Sequence, residues 1–255
     1  MGNWRRQMGD LDCGAVALDA GEHQFERAIM SDGKVLFITG ASSGIGAATA
    51  RAAVAAGWRV GIMARSEGTL SEMVTTFGET RAMALPGDVT QRAEVEAAVD
   101  RLRKGFGRID AIFANAGKGL SAAGMEKGDP DEWDHMIDLN IKGLLWTVKA
   151  SWEALKESGG QAVLTGSVAG LRHIPGSVYG ASKWFVRGFA GNLSEEMREF
   201  GGRCTVIHPG MVDTPFFDEA KPDKIQPEDV ASAVVFALSQ PDTAAVREIH
   251  IMPND

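Results

Sequence analysis

A chain of 255 residues is long enough for one large α/β domain or two small ones. With 44% hydrophobic and 24% charged residues it has the composition of an ordinary globular protein, which excludes a disordered, collagenous or coiled-coil chain. A formal net charge of −8 argues against a binder that tracks nucleic-acid phosphates, and two cysteines far apart, Cys13 and Cys204, support neither a disulfide framework nor a thiolate zinc site.

In chain order, residues 1–30 carry no clean helical or strand period. They read as a poorly ordered N-terminal extension or as a misassigned start, with translation beginning at Met30. Acidic residues at Asp10, Asp12, Asp19 and Glu22 interrupt any signal-peptide core, and no apolar run is long enough to span a membrane, so a cytoplasmic protein without membrane contact is expected. From residue 31 onward short apolar runs alternate with helical patterns. Strands are expected at 34–38, 59–63, 82–85, 110–113, 161–165, 203–207 and 247–252. Helices are expected near 44–56, 67–78, 91–105, 130–157, 178–199 and 227–239. The strand runs are continuous rather than alternating, as in parallel strands buried on both faces. Pro227, followed by Glu228 and Asp229, marks a helix start. No linker separates the units, so residues 31–255 form one doubly wound parallel α/β domain of about seven strands with helices on both faces.

Directly after the first strand stands Thr39-Gly-Ala-Ser-Ser-Gly-Ile-Gly46, which opens a helix. Gly40 permits a tight turn, Gly44 lets backbone approach a pyrophosphate, and Gly46 allows close helix packing. With Ser42, Ser43 and Ile45 they bring free helix N–H groups to a phosphate, the arrangement of a Rossmann-type dinucleotide site. Nothing acidic lies between Arg51 and Ser66, where an NAD binder keeps a carboxylate for the ribose 2′-hydroxyl. Arg65, at the end of the second strand, instead offers a charge-assisted partner for a 2′-phosphate, so NADP(H) is the expected cofactor.

Tyr179 and Lys183, four apart on a helix, share one face. An ammonium beside a phenol favours the phenolate, so the spacing predicts a tyrosine pKa below its ordinary value of about 10. Ser167, just beyond the fifth strand, can hydrogen-bond a substrate oxygen. With Asp88-Val89, Ala114-Asn-Ala-Gly117, Asn140, Tyr179-Gly-Ala-Ser-Lys183 and His208-Pro-Gly-Met-Val-Asp-Thr214, the chain resembles the short-chain dehydrogenase/reductase family over residues 31–255. In look it is nearest the short bacterial reductases grouped with serine or 3-hydroxy-acid dehydrogenases.

The resemblance implies an oxidoreductase that interconverts an alcohol and a ketone or aldehyde. Tyr179 would exchange the proton, Ser167 orient the substrate, Lys183 hold the ribose and tune Tyr179, and Asn140 keep a water in a relay to Lys183. It places Asp88 and Val89 beside the adenine, and Asn115, Ala116 and Gly117 along the cofactor. Pro209, Gly210, Val212 and Thr214 fall at the nicotinamide end. It also implies a homodimer or homotetramer assembled through the helices that carry Asn140 and Tyr179. The stripe Met136, Leu139, Leu144, Leu145 and Trp152 is compatible with that interface or with core packing.

Two positions depart from the family pattern. Ala114 replaces a common Asn, and the interval from Ser167 to Tyr179 is one residue short, which trims the loop from Arg172 to Ser177. The stretch between the sixth strand and the last helix is also short. An open pocket is therefore expected, with an apolar wall from Met211, Phe216 and Phe217. Lys118, Arg172 and His173 lie in loops nearby, as solvated charges or as contacts for an acidic substrate. A 3-oxoacyl-thioester reductase and a non-catalytic NADP-sensing regulator are alternatives on the same fold. The first usually ends in a Gly-Gly-rich tail, absent here, and the second typically loses the Tyr or the Lys.

Overall fold

The computed structural model describes residues 33–216 and 219–254. The N-terminal extension and Phe217 lie outside the described residues.

The first strand, β1 (Val35–Thr39), is buried along its whole length. It leads into α1 (Gly44–Ala55), β2 (Arg59–Ala64), α2 (Glu67–Phe77), β3 (Ala82–Pro86), α3 (Arg92–Phe106) and β4 (Ala111–Ala114). The second half runs α4 (Pro130–Ile137), α5 (Leu144–Ser158), β5 (Gln161–Thr165), α6 (Val178–Met197), β6 (Arg203–Pro209), α7 (Pro227–Leu238) and β7 (Glu248–Ile251). All seven strands are parallel in the order β3-β2-β1-β4-β5-β6-β7, so the chain reverses its direction of winding between β1 and β4. Ligand sites of such sheets form outside the carboxyl ends of the strands at that reversal.

Successive side chains of a strand face opposite sides, and β1 shows both. Val35 and Phe37 join Ile112, Leu164 and Val206 in a core under α3, α5 and α6. Leu36 and Ile38 join Phe113, Val163 and Ile207 in a second core under α1 and α7. At the start of β1 the buried Asp110 carboxylate accepts the Val35 N–H at 2.8 Å and is gripped by the Arg108 guanidinium, which ties β1 to the entry of β4. The last strand, β7, is paired on one side only, and its burial alternates as expected of an edge.

Every expected strand forms, with ends shifted by two residues at most. One expected helix is interrupted. The pattern over 130–157 breaks into α4, a π-helical turn over Asp138–Gly143, and α5. A π turn holds an extra residue, so the apolar stripe steps by five from Leu139 to Leu144 where a continuous helix would step by three or four, a slip too slight to divide the pattern in sequence. The start of α4 is ordinary: the Asp129 side chain accepts the Asp131 N–H at 3.0 Å and Pro130 opens the first turn. The expected start of α7 is also present, as a capping box in which Asp229 accepts the Gln226 N–H at 2.8 Å.

Within the apolar stripe of α4 and α5, Met136 and Leu144 are buried, and Leu139 and Trp152 pack against the same core. Those four side chains serve the domain interior.

Candidate active site

The turn after β1 is built so that only glycine fits at its key positions. Gly40 has φ +67°, and a Cβ on it would stand 2.8 Å from the Ala116 Cα. A Cβ on Gly46 would stand 2.1 Å from the Gly40 carbonyl oxygen, so the helix start lies against the turn with no room for a methyl group. Gly44 also has positive φ, at +51°, and its open face meets Thr214 from the loop beyond β6. Ser43 is the N-cap of α1, exposed, and its side chain makes no cap bond. The first N–H groups of α1 thus face outward at the carboxyl end of the sheet. A bare helix N-terminus behind a glycine turn is what a pyrophosphate needs, and the residues fit a dinucleotide.

Asn115 holds this turn from behind. Its Nδ2 donates to the Thr39 and Gly40 carbonyls at 3.2 and 3.3 Å, its Oδ1 accepts from Thr165 Oγ1 at 3.3 Å, and its own N–H donates to Thr39 Oγ1. The Asn115 side chain therefore acts as a brace joining β1, β4 and β5, and the backbone at Ala116 and Gly117 is left beside the groove. Ala114 is fully packed in the core, so the missing amide of the family pattern is replaced by apolar contact. Asp88 folds back on its own turn, accepting from Thr90 N and Oγ1 at 2.9 Å, and Val89 is buried. Arg65, just past β2, is exposed and makes no hydrogen bond or ion pair among the described residues.

Ser167, Tyr179 and Lys183 come together at the carboxyl end of β5. Ser167 caps a short 3₁₀ turn, its Oγ accepting the Ala169 N–H at 3.1 Å, which leaves the hydroxyl proton free to be donated. Tyr179 sits in the first turn of α6, whose N-cap Ser177 accepts the Gly180 N–H at 2.9 Å. One turn on, the buried Lys183 Nζ donates to the Thr165 carbonyl at 2.9 Å and lies 5.7 Å from the centre of the Tyr179 ring.

Asn140 lies in the π turn, buried. Its Oδ1 accepts the Lys118 N–H at 2.9 Å, and its Nδ2 donates to the Lys118 carbonyl at 3.0 Å and to Ser182 Oγ at 3.4 Å. The side-chain amide is thus committed to the 118 loop and to α6, and makes no bond to Lys183.

Burial acts on both titrating groups of the pair. It pushes the Tyr179 phenol above its ordinary value, with the Ser167 hydroxyl pulling the other way, and it pushes the Lys183 ammonium down to about 8. The expected lowering of Tyr179 by Lys183 is therefore overturned. The lysine is itself driven toward neutrality, and its Nζ is directed at a carbonyl rather than at the phenol oxygen.

Lys183 also has a consequence for stability. An unfolded lysine titrates near 10.4. Between about 8 and that value the unfolded chain binds a proton that the folded chain lacks, so stability rises with pH across this window. Below it both forms are protonated, and the penalty of about 3 kcal/mol is felt in full. Lys183→Met lacks this ionisation. The stability of the Met variant relative to the parent, read by denaturant titration, should fall by about 3 kcal/mol from pH 7 to pH 10.5. A difference that does not vary with pH would mean that the lysine carries no such penalty.

The loop beyond β6 covers the site. Gly210 N donates to Ile251 O at 2.7 Å, and Val212 bridges Ile225 so that the loop is closed at its base. Phe216, with 42% of its surface exposed, brings its ring to 5.8 Å from that of Tyr179 and packs on Gly119. Met211 is similarly exposed. Of the expected apolar wall, Phe216 is thus seen at the tyrosine. Arg172 is exposed, and His173 stacks on Trp184 at 5.4 Å.

A doubly wound sheet with a glycine turn at its reversal and a serine, tyrosine and lysine gathered beside it defines an α/β oxidoreductase. The chain belongs to the short-chain dehydrogenase family, whose pattern it matches over residues 34–225. An uncharacterised oxidoreductase of Staphylococcus saprophyticus is 36% identical over 228 residues, spanning 86% of this chain and 97% of its own. Among solved structures, an alcohol dehydrogenase from the archaeon Thermococcus sibiricus complexed with 5-hydroxy-NADP is 31% identical with a TM-score of 0.80, over 87% of this chain and 97% of that one. Serine dehydrogenase from Escherichia coli is 30% identical with a TM-score of 0.79, over 86% and 97%. Among the described residues no helix is long and apolar enough to cross a membrane.

Proposed function

We propose that the protein interconverts a small alcohol and its ketone or aldehyde with NADP(H), using Tyr179 as the general acid and base. The observation that carries this reading is the meeting of Ser167, Tyr179 and Lys183 beside the glycine turn, with Lys183 buried between Thr165 and the tyrosine ring. Gly40 to Gly46 and the first turn of α1 would hold the pyrophosphate, and Asp88 and Val89 the adenine. Arg65 would hold the 2′-phosphate, and Pro209, Gly210, Val212 and Thr214 the nicotinamide end. When bound, the nicotinamide supplies the hydride donor or acceptor.

The protein's own part is binding, orientation and the proton. Ser167 has a hydroxyl proton to donate to the carbonyl oxygen, which fixes that oxygen near the tyrosine. In reduction the neutral Tyr179 phenol gives its proton to the developing alkoxide, and in oxidation the phenolate takes it back. Burial favours the neutral phenol, which is the form required to reduce a carbonyl. Phe216 over the tyrosine ring excludes water from one side of the reacting carbon and suits a substrate with an apolar substituent. Three of the similar solved structures are complexes with NADP, NADP⁺ or 5-hydroxy-NADP and one is a complex with NADH, a balance that supports the choice of cofactor.

The test is a panel of small alcohols, hydroxy acids and carbonyl compounds with NADP⁺ or NADPH, followed by absorbance of the reduced nicotinamide. Turnover on at least one member is expected, with NADPH preferred over NADH. Tight NADPH binding with no turnover on any member would instead point to a sensing role. Arg65→Ala should raise the KM for NADPH roughly tenfold or more and leave that for NADH nearly unchanged, since a hydrogen bond to a charged group contributes about 1.5–3 kcal/mol. A parent enzyme that already prefers NADH would refute this assignment of Arg65.

A further inference from the structure

β6 and β7 run side by side with His208 opposite His250, and Glu248 stands two residues before His250 on the same face of β7. His208 is completely buried, and its Nδ1 lies 3.1 Å from the Ser167 backbone carbonyl. A carbonyl oxygen can only accept, so Nδ1 carries a proton, and Nε2 is the nitrogen left to bind a further partner. That atom makes no hydrogen bond among the described residues and faces Glu248 Oε2 at 3.5 Å. The same Glu248 oxygen lies 3.2 Å from His250 Nε2, within hydrogen-bond distance, so two imidazole nitrogens converge on one carboxylate oxygen at the edge of the sheet.

We propose that His208, Glu248 and His250 form a binding site for a first-row divalent cation of the zinc class, which fastens the edge strand β7 to β6. The three ligand atoms all lie within 4.8 Å of one another. Metal–ligand bonds of about 2.0–2.1 Å at tetrahedral angles set neighbouring ligand atoms about 3.4 Å apart. The spacings of 3.5 Å from His208 Nε2 and 3.2 Å from His250 Nε2 to the same Glu248 oxygen already match. His250 is half exposed, so its ring can turn to close the remaining gap, and the open side leaves room for a water as fourth ligand.

Two neighbours prepare the site. The Ser167 carbonyl orients the His208 ring through the nitrogen that does not ligate, the usual outer partner of a metal-bound histidine. Arg187 Nε donates to Glu248 Oε1 at 3.1 Å, which turns Oε2 toward the two histidine nitrogens, where an ion would replace the hydrogen bond from His250. Its positive charge also weakens the carboxylate's hold, so the affinity should fall below that of an all-protein structural zinc site. Because His208 hangs from the carbonyl of Ser167, an ion here braces the strand directly behind the substrate serine.

Cobalt(II) is a suitable probe, because its visible absorption reports ligation independently of turnover. Tag-free, chelator-treated full-length protein should bind one Co²⁺ per chain with a saturable visible band, and Zn²⁺ should displace it. Glu248→Gln and His250→Gln, both at partly exposed positions, should each weaken Co²⁺ binding roughly tenfold or more with unchanged far-ultraviolet circular dichroism. Absence of saturable binding, or undiminished binding in either variant, would overturn the proposal.

Discussion

Tyr179→Phe is expected to lower turnover by roughly 10²–10⁴-fold, the usual contribution of a positioned general acid or base. The substitution deletes one hydroxyl and keeps the ring, so the contact with Phe216 and the position of α6 are retained. NADPH affinity, measured by fluorescence titration, should therefore change little while the chemical step collapses. Because Tyr179 is the sole tyrosine, its ionisation can be followed in the parent by ultraviolet difference absorbance after subtraction of the tryptophan background. The midpoint in the protein alone should lie above the ordinary value of about 10, the direction that burial dictates. Full turnover of the Phe variant on a substrate of the parent would leave the phenol without a role in the reaction.

Gly46→Ala should damage stability and cofactor binding together. The added methyl group would stand 2.1 Å from the Gly40 carbonyl oxygen and 2.8 Å from Asn115 Nδ2. Neither neighbour can swing aside, since one is backbone of the turn and the other is the brace that ties the turn to β4 and β5. Relief requires moving the start of α1 away from the turn. The expected loss is about 1–3 kcal/mol of stability, as for other overpacked sites, and a more than tenfold fall in NADPH affinity. Gly68 supplies the control: it lies in α2 with nothing within 4 Å of an added Cβ. Gly68→Ala should preserve stability and cofactor affinity. Equal behaviour of the two variants would show that close packing at Gly46 is unimportant.

Much of this arrangement is legible in the amino-acid sequence, and the reasons are physical. A run such as Val-Leu-Phe-Ile is apolar at every position because both faces of β1 are buried, so a central parallel strand declares itself. The glycines of the turn are legible because backbone conformation and close approach leave no other residue possible at Gly40 and Gly46. The π turn around Asn140 is not legible, since one extra residue shows in the apolar stripe only as a single five-residue step from Leu139 to Leu144. Nor is the direction of the Tyr179 shift. Helical spacing brings Lys183 onto the same face, but it does not reveal that burial weakens the ammonium and that Thr165 claims it. In sequence His208 is no more than the residue before Pro209. Its partners stand on a strand forty residues away, and their meeting depends on the register of β6 with β7.

The bridge between Val212 and Ile225 separates two kinds of evolutionary freedom. Below it lie the sheet, the glycine turn and the tyrosine helix, where a change of one methyl group matters. Above it hangs a stretch of about a dozen residues whose ends are already held together, with Val212 and Ile225 both buried. For a loop with fixed ends, doubling the length adds only about 0.6 kcal/mol of closure entropy. Insertions and deletions between Asp213 and Lys224 are therefore cheap in stability, yet they alter what stands over Tyr179 beside Phe216. A lineage carrying this chain can change the molecule it accepts without renegotiating the fold or the chemistry.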